Sequence, residues 1–139
     1  MLGRAIEIAV EAHSGQVDKG GKPYILHPLW VMNQVRHLGE DYMITAILHD
    51  VLEDSSWSAA ALMEEGFTYS VVNSVVILTK LSTTKYDDYI KNVSLDPKAK
   101  AVKMKDLEHN TKITRLKGLR KKDFDRLEKY HRAYTYLKD

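Results

Sequence analysis

The run LHDVLED, residues 48–54, constrains this chain more than any other part of it. At helical spacing Glu53 lies four residues after His49, and Asp54 lies four residues after Asp50, so the four polar side chains share one face. The stretch before them is mostly apolar, which indicates a largely buried helix. Burying charged groups without partners is costly, and a metal ion with a polar substrate would supply partners. The alternative is a solvated acidic helix end.

The neighbouring His49 and Asp50 offer one imidazole and one carboxylate to a single cation. That mixture suits manganese, iron or zinc better than calcium, which prefers oxygen ligands alone. Two other segments, PYILHP at 23–28 and VKMKDLEHN at 102–110, add His27 and Asp106. Two imidazoles and two carboxylates leave coordination positions open for water and substrate, as catalytic metal sites do. Alone, His27 is more typical of a capping or surface histidine at the mouth of a helix.

Taken together, the segments resemble the HD-domain phosphohydrolases, and more narrowly the hydrolase domain of Rel/SpoT-type enzymes and the stand-alone small alarmone hydrolases. The resemblance spans roughly residues 1–120, in the expected order. An HD dipeptide by itself is a weak signal, whereas HDxxED combined with PYIxHP and DxxxN is a strong one. The matching residues are Ala12-His13-x-x-Gln16, Lys19-x-Gly21-x-Pro23-Tyr24-Ile25-x-His27-Pro28, Ala46 to Asp54, and Val102-Lys103-x-x-Asp106-x-x-His109-Asn110.

The resemblance implies an all-α protein, a single HD-domain bundle of about seven to eight helices over residues 1–139. It implies one divalent metal, usually manganese, held by His27, His49, Asp50 and Asp106. Glu53 and Asp54 would position and deprotonate the attacking water. Asn110 would contact the ribose or a phosphate, and Lys19 would reach the nucleotide. The reaction implied is removal of pyrophosphate from the 3′ position of guanosine tetra- or pentaphosphate.

Two further residues are candidates for contact with the substrate. Lys112 could bind a phosphate, although a solvated surface is the commoner place for a lysine. Asp18 stands where family members commonly carry an arginine that touches the base. An acid there could accept hydrogen bonds from guanine. Alternatively, it could repel phosphate, and the protein would then favour a less charged substrate. The open alternatives are therefore a broader HD nucleotidase or nucleotide phosphatase, and a nucleotide-binding HD domain without turnover.

Composition agrees with a small enzyme acting on a small molecule. The chain has 139 residues, no cysteine and a net charge of +2. The missing cysteine excludes disulfides and thiol catalysis, and so small a net charge gives no argument for nucleic-acid binding. No apolar run approaches a membrane span, and the first residues lack a signal-peptide pattern. We therefore expect a cytoplasmic protein. The tyrosines near the C-terminus fit core packing or a contact between copies in a homo-oligomer.

Helices are predicted along nearly the whole chain. The predicted ranges are about 2–14, 28–38, 40–54, 59–65, a helix opening at residue 86, 97–110 and 123–137. The β-branched run VVNSVVIL at 71–78 could form a buried strand by composition, but no partner strand is visible and the family resemblance favours a helix. His13 and His109 are interpreted as packed or supporting histidines.

Overall fold

The structure, a computed structural model, describes residues 1–139 and is all-α. Its two 3₁₀ turns are Arg36–Leu38 and Ile113–Arg115, and its only β-type pairing is an isolated bridge between Val17 and Pro23. The predicted fold class is confirmed. The helices are α1 (Leu2–Ala12), α2 (Leu26–Gln34), α3 (Glu40–Leu48), α4 (Val51–Asp54), α5 (Ala59–Glu64), α6 (Tyr69–Leu78), α7 (Tyr86–Ser94), α8 (Pro97–Asn110) and α9 (Lys121–Lys138).

Several helix ends follow directly from the sequence. The side chains of Ser58, Thr68 and Asp96 accept hydrogen bonds from the first-turn amides of α5, α6 and α8. Each bond satisfies an amide that has no partner within its helix. Gly66 follows α5 with φ of 99°, a conformation that favours glycine. The predicted bounds of these helices therefore agree with the structure to within one or two residues.

Helix α3 lies at the centre of the molecule and packs against α1, α2, α6 and α8. Its side chains Ile44, Ile47 and Leu48 are buried, and the core continues into the valines of α6. The valine-rich run is thus a helix, as the family resemblance predicts. The valines of α6 are buried against the core, and such tertiary packing readily outweighs the modest preference of valine for strands.

Two sequence predictions about helix bounds are wrong. The predicted helix 40–54 is broken: α3 ends at Leu48, and α4 begins at Val51, so His49 and Asp50 lie at a corner. The single shared helix face inferred for the motif is therefore incorrect. The second helix begins at Leu26, which places His27 inside its first turn and not on a preceding loop edge. None of the helices has both the length and the apolar character needed to cross a bilayer.

Candidate metal centre and active site

Four side chains predicted as metal ligands converge at the buried end of α3. One donor atom from each of His27, His49, Asp50 and Asp106 lies within 4.8 Å of the others. The closest approaches are 2.8 Å from His27 Nε2 to Asp106 Oδ1 and 3.0 Å from His49 Nε2 to Asp50 Oδ2. The residues come from α2, the corner between α3 and α4, and α8, so tertiary packing brings them together.

The corner fixes the orientation of the His49 ring. Its Nδ1 donates to the carbonyl of Ala46 at 2.6 Å, so in the neutral ring the lone pair is on Nε2. That Nε2 atom is buried, has no aligned hydrogen-bond partner, and faces carboxylate oxygens of Asp50 and Asp106 at 3.0 and 3.4 Å. Burial alone would lower the pKa of His49, but the two carboxylates outweigh it and raise that pKa well above its usual value.

His27 is held by a second histidine. Its Nδ1 lies 2.7 Å from Nδ1 of His109, whose ring stacks on both His27 and Trp30. Burial, together with the charge of Arg115, lowers the pKa of His109 to about 4. A neutral His109 can accept the Nδ1 proton of His27, which leaves Nε2 of His27 directed toward the centre. The supporting role predicted for His109 agrees with this geometry.

Asp106 is the most connected carboxylate of the group. Besides its contacts with the two histidines, it accepts hydrogen bonds from Lys103 Nζ at 2.8 Å and from Asn110 Nδ2 at 2.9 Å. Burial would raise the pKa of Asp106, but Lys103 and the histidines hold it well below the usual range. Burial would lower the pKa of the Lys103 ammonium, but Asp106 holds that pKa well above its usual value. Asp106 is therefore ionised at neutral pH.

The other carboxylate of the group, Asp50, is oriented by a tyrosine. The hydroxyl of Tyr24 donates a hydrogen bond to Asp50 Oδ2. Burial opposes ionisation of Asp50, yet the neighbouring His49 outweighs it and lowers the pKa of Asp50 to about 2. Tyr24 lies on the loop before α2, so its hydrogen bond connects that loop to the corner that carries the HD pair.

Glu53 and Asp54 lie on α4 at the solvent-facing edge of the centre. Partial burial raises the pKa of both carboxyls, and the negative charge of Asp50 raises it further. The Asp54 carbonyl accepts a hydrogen bond from Gln16 Nε2 at 2.9 Å, while Oε1 of Gln16 lies 2.9 Å from Nδ1 of the buried His13. The end of α1 therefore fixes the position of α4.

The chemistry of the donor set fits a divalent cation. Two carboxylates held ionised and two imidazole Nε2 atoms point at one buried place, and buried like charges need a compensating cation. His49 Nε2 gives the sharpest indication, because this buried nitrogen faces two carboxylates but forms no aligned hydrogen bond with either. A mixed nitrogen and oxygen set is typical of manganese, iron or zinc. These four residues can therefore hold a metal ion.

A cavity of about 350 Å³ opens beside His27. Three residues predicted to contact the substrate, Lys19, Asn110 and Lys112, line it together with Arg115, Arg126 and Tyr130. Lys112 Nζ also lies 4.6 Å above the Trp30 ring. We call this space the nucleoside cavity. Its four cationic side chains, two lysines and two arginines, and its apolar lining residues make it suitable for a phosphorylated nucleoside.

Asp18 also lines the nucleoside cavity, but its carboxylate is already occupied. Oδ1 accepts hydrogen bonds from the amides of Gly20 and Lys22 at 2.9 Å each, and Oδ2 accepts one from Arg115 at 3.0 Å. Hydrogen bonds and the Arg115 charge outweigh burial and lower the pKa of Asp18. Asp18 thus closes the loop before α2 and connects it to the segment after α8.

Sequence reasoning assigned no individual role to Tyr24, Gln16, Lys103 or Arg115. The first three lie within the quoted motifs, so the motif text contained a signal that was not used. The partners of Tyr24 and Gln16 are 26 and 38 residues away along the chain. Arg115 is 97 residues from Asp18, and no local pattern marks that pair.

Comparison with known proteins agrees with this geometry. A family model described as HD domain matches residues 5–123. The chain therefore belongs to the HD-domain family. A solved structure described as a metazoan orthologue of SpoT that hydrolyses ppGpp superposes with a TM-score of 0.80, covering 98% of this chain and 84% of its own, at 21% identity. At that identity the likeness establishes the fold.

Two bacterial relatives are closer in sequence. A guanosine-3′,5′-bis(diphosphate) 3′-pyrophosphohydrolase of Aquifex aeolicus is 36% identical over 119 residues, which is 78% of this chain and 17% of the relative. A GTP pyrophosphokinase of Streptomyces coelicolor is 31% identical over 123 residues, which is 81% of this chain and 14% of the relative. The chain thus spans about a sixth of the length of these relatives.

Proposed function

We propose that this protein is a metal-dependent phosphohydrolase that removes pyrophosphate from the 3′ position of guanosine tetra- or pentaphosphate. The observation that carries the proposal is the convergence of His27, His49, Asp50 and Asp106 beside a basic cavity. The Aquifex relative is named for this reaction, which supports the choice of substrate. We further propose manganese as the metal, residues 1–139 as one hydrolase domain, and a cytoplasmic location.

The proposed chemistry divides between the metal and the acidic pair. When bound, a divalent ion polarises a phosphoryl oxygen and lowers the pKa of water. Glu53 and Asp54, at the edge of the centre, position the attacking water and take its proton. The water oxygen bonds to the phosphorus that carries the 3′ oxygen, the bond from phosphorus to that oxygen breaks, and the 3′ oxygen takes up a proton. The products are pyrophosphate and guanosine 5′-diphosphate or 5′-triphosphate with a free 3′ hydroxyl.

The nucleoside cavity supplies the binding groups for this substrate. Lys19 and Lys112 offset phosphate charge. Asn110 is held by its hydrogen bond to Asp106, so its amide has a fixed position beside the centre. Asp18 contributes by shaping the loop that carries Lys19, since both of its oxygens are engaged by that loop and by Arg115.

A direct test compares three substrates with the manganese-loaded protein. Guanosine tetraphosphate, guanosine monophosphate and a phosphorylated dinucleotide are incubated in parallel, and products are separated by anion-exchange chromatography. We expect pyrophosphate and guanosine diphosphate from the first, at the highest kcat/KM. Turnover of the alarmone no better than that of the other two would overturn the substrate, and Asp106→Ala controls for contaminating phosphatase.

One observation favours a second candidate, a broader nucleotide phosphatase. Asp18 replaces the arginine expected to touch the base, and Arg115 is tied to it at 3.0 Å. If the base is recognised weakly, turnover should depend little on whether it is guanine or adenine. Comparing the guanosine and adenosine 3′-diphosphates at equal metal concentration separates the two candidates.

A further inference from the structure

Trp30, on α2, contacts two residues that belong to different parts of the candidate site. It follows His27 by three residues, so the two side chains leave the same face of the helix. Helix α2 packs against α8, whose last turn supplies His109 and is followed closely by Lys112. His109 is bonded to a candidate metal ligand, and Lys112 lines the nucleoside cavity. One side chain of α2 is therefore placed to act on both.

The first contact of Trp30 is with the imidazole of His109. The two ring centres are 4.4 Å apart and the ring planes differ by 14°, so the rings are stacked. The planes of His109 and His27 differ by only 10°, and their Nδ1 atoms are 2.7 Å apart. The indole thus covers the imidazole that holds His27 by a hydrogen bond.

Packing is needed to fix the His109 ring, because hydrogen bonds alone do not fix it. The ring makes a single hydrogen bond, at Nδ1, and the bond from Arg115 reaches the backbone carbonyl of His109 instead. A ring held at one atom can still turn about its bond to the chain. The indole face at 4.4 Å blocks that rotation and keeps Nδ1 of His109 directed at His27.

The second contact of Trp30 is with Lys112. The Nζ atom of Lys112 lies 4.6 Å from the centre of the Trp30 ring, within the range of a cation–π interaction. Lys112 is exposed and pairs with no carboxylate, and a free lysine side chain would occupy many rotamers. The indole therefore restrains the ammonium beside the nucleoside cavity and leaves its charge available to a phosphate.

We propose that Trp30 is a positioning residue that serves the metal centre and the nucleotide together. Through His109 it orients the ring of His27, and through its own face it restrains Lys112. The part that concerns His27 depends on the geometry of the centre alone, whereas the part that concerns the nucleotide rests on the proposed function. A tryptophan that only fills space would need only its apolar volume, so the shape of a replacement side chain distinguishes the two roles.

The test compares Trp30→Phe with Trp30→Leu. Both variants keep a large apolar side chain, but only phenylalanine retains a ring face for His109 and Lys112. Cobalt(II), which reports its ligands through visible absorption, is titrated into the chelator-treated protein. We expect Trp30→Leu to alter the spectrum and to weaken cobalt binding about tenfold, the usual effect of disturbing a group that supports a metal ligand. Trp30→Phe should bind cobalt nearly as the unchanged protein does, with the original spectrum.

A second measurement titrates guanosine 5′-diphosphate into the metal-free protein, so that a metal ion does not contribute to nucleotide binding. Trp30→Leu should weaken this binding about threefold, as expected for loss of an exposed cation–π contact, and Trp30→Phe should retain most of it. Lys112→Met should weaken nucleotide binding at least as much and leave cobalt affinity unchanged. Circular dichroism and urea unfolding check that each variant is folded.

Trp57→Leu is the matched control. The chain has two tryptophans, and Trp57 packs against the core without a stacked ring or a cation over its face. This variant should bind cobalt and nucleotide as the unchanged protein does. Equal weakening by Trp30→Phe and Trp30→Leu, or by Trp57→Leu, would mean that loss of a tryptophan merely loosens the fold. A change in cobalt binding without a change in nucleotide binding, or the reverse, would exclude the shared role. Each of these outcomes overturns the inference.

Failure of this inference and failure of the proposed function give different results. A protein that shows the expected cobalt and nucleotide binding but does not hydrolyse guanosine tetraphosphate keeps the role of Trp30 and loses the reaction. A protein that hydrolyses the alarmone with the same kcat/KM in Trp30→Leu as in the unchanged chain keeps the reaction and loses the role of Trp30.

Discussion

The apolar core and the metal centre meet within a few residues of each other but are stabilised in opposite ways. Ile47 and Leu48 end α3 in the core, and their contribution comes from apolar area removed from water. His49 and Asp50 follow immediately, and each is stable only because oppositely charged or hydrogen-bonding groups surround it. Loss of one core side chain leaves a local defect, whereas loss of one polar ligand leaves several others unsatisfied.

The largest expected effect comes from Asp106→Asn. This variant removes the charge that His27, His49 and Lys103 share, and it leaves the Lys103 ammonium buried without a counter-charge. Breaking such a pair costs about 3–5 kcal/mol. Urea unfolding of the metal-free protein should show this loss, and elemental analysis should show that metal is no longer retained.

Adding Lys103→Met to the same variant sharpens the comparison. Removing both charges should restore much of the stability without restoring the metal, because buried ion pairs replaced by apolar groups are often close to neutral. If the double variant is no more stable than Asp106→Asn alone, the buried ammonium is not the source of the loss.

A core substitution should show the opposite behaviour. Leu62→Ala removes a fully buried side chain on α5, a helix that packs against α6. We expect a loss of about 3 kcal/mol in the free energy of unfolding, with metal affinity unchanged when measured well below the melting temperature. A large change in metal affinity would contradict the separation between core and centre.

Glu53→Gln should reduce turnover by about 10²-fold, the usual contribution of a positioned acid–base group, while metal is retained. Partial burial and Asp50 raise the pKa of Glu53, so its charge is unfavourable to folding above the usual carboxyl pKa. The variant should therefore be slightly more stable than the parent at neutral pH. This difference should vanish as the pH falls below the usual carboxyl pKa, where Glu53 is protonated in both states.

The smallest effect is expected at Asp18. Asp18→Asn keeps an acceptor for Gly20 and Lys22 but weakens the partly exposed contact with Arg115, at a cost of about 1 kcal/mol or less. The KM for the nucleotide should change more than kcat. Asp18→Arg should be worse, because it removes the loop hydrogen bonds and brings two arginines together. Improved alarmone turnover in Asp18→Arg would show that the loop contacts are dispensable.

The sequence was sufficient for most of the helices and for the four side chains that converge, and insufficient for the contacts that hold those side chains in place. Helix bounds follow from local signals, such as the Asp96-Pro97 start of α8. The four candidate ligands were identified by residue type, spacing and family resemblance. The partners of Asp18 and Gln16 come from distant parts of the chain, so only folding reveals them. The corner at His49 escaped prediction because an unbroken helical pattern runs through it.

The close approach at Gly20 limits how the nucleoside cavity can move. A side-chain carbon at this position would lie 2.7 Å from the Arg115 carbonyl oxygen, which is a steric clash. With the Asp18 ion pair beside it, this contact joins the loop before α2 to the turn after α8 as one wall. Opening this side of the cavity therefore requires the two segments to shift together. In hydrogen exchange, amides of residues 18–22 and 111–116 should gain or lose protection as one unit when nucleotide binds.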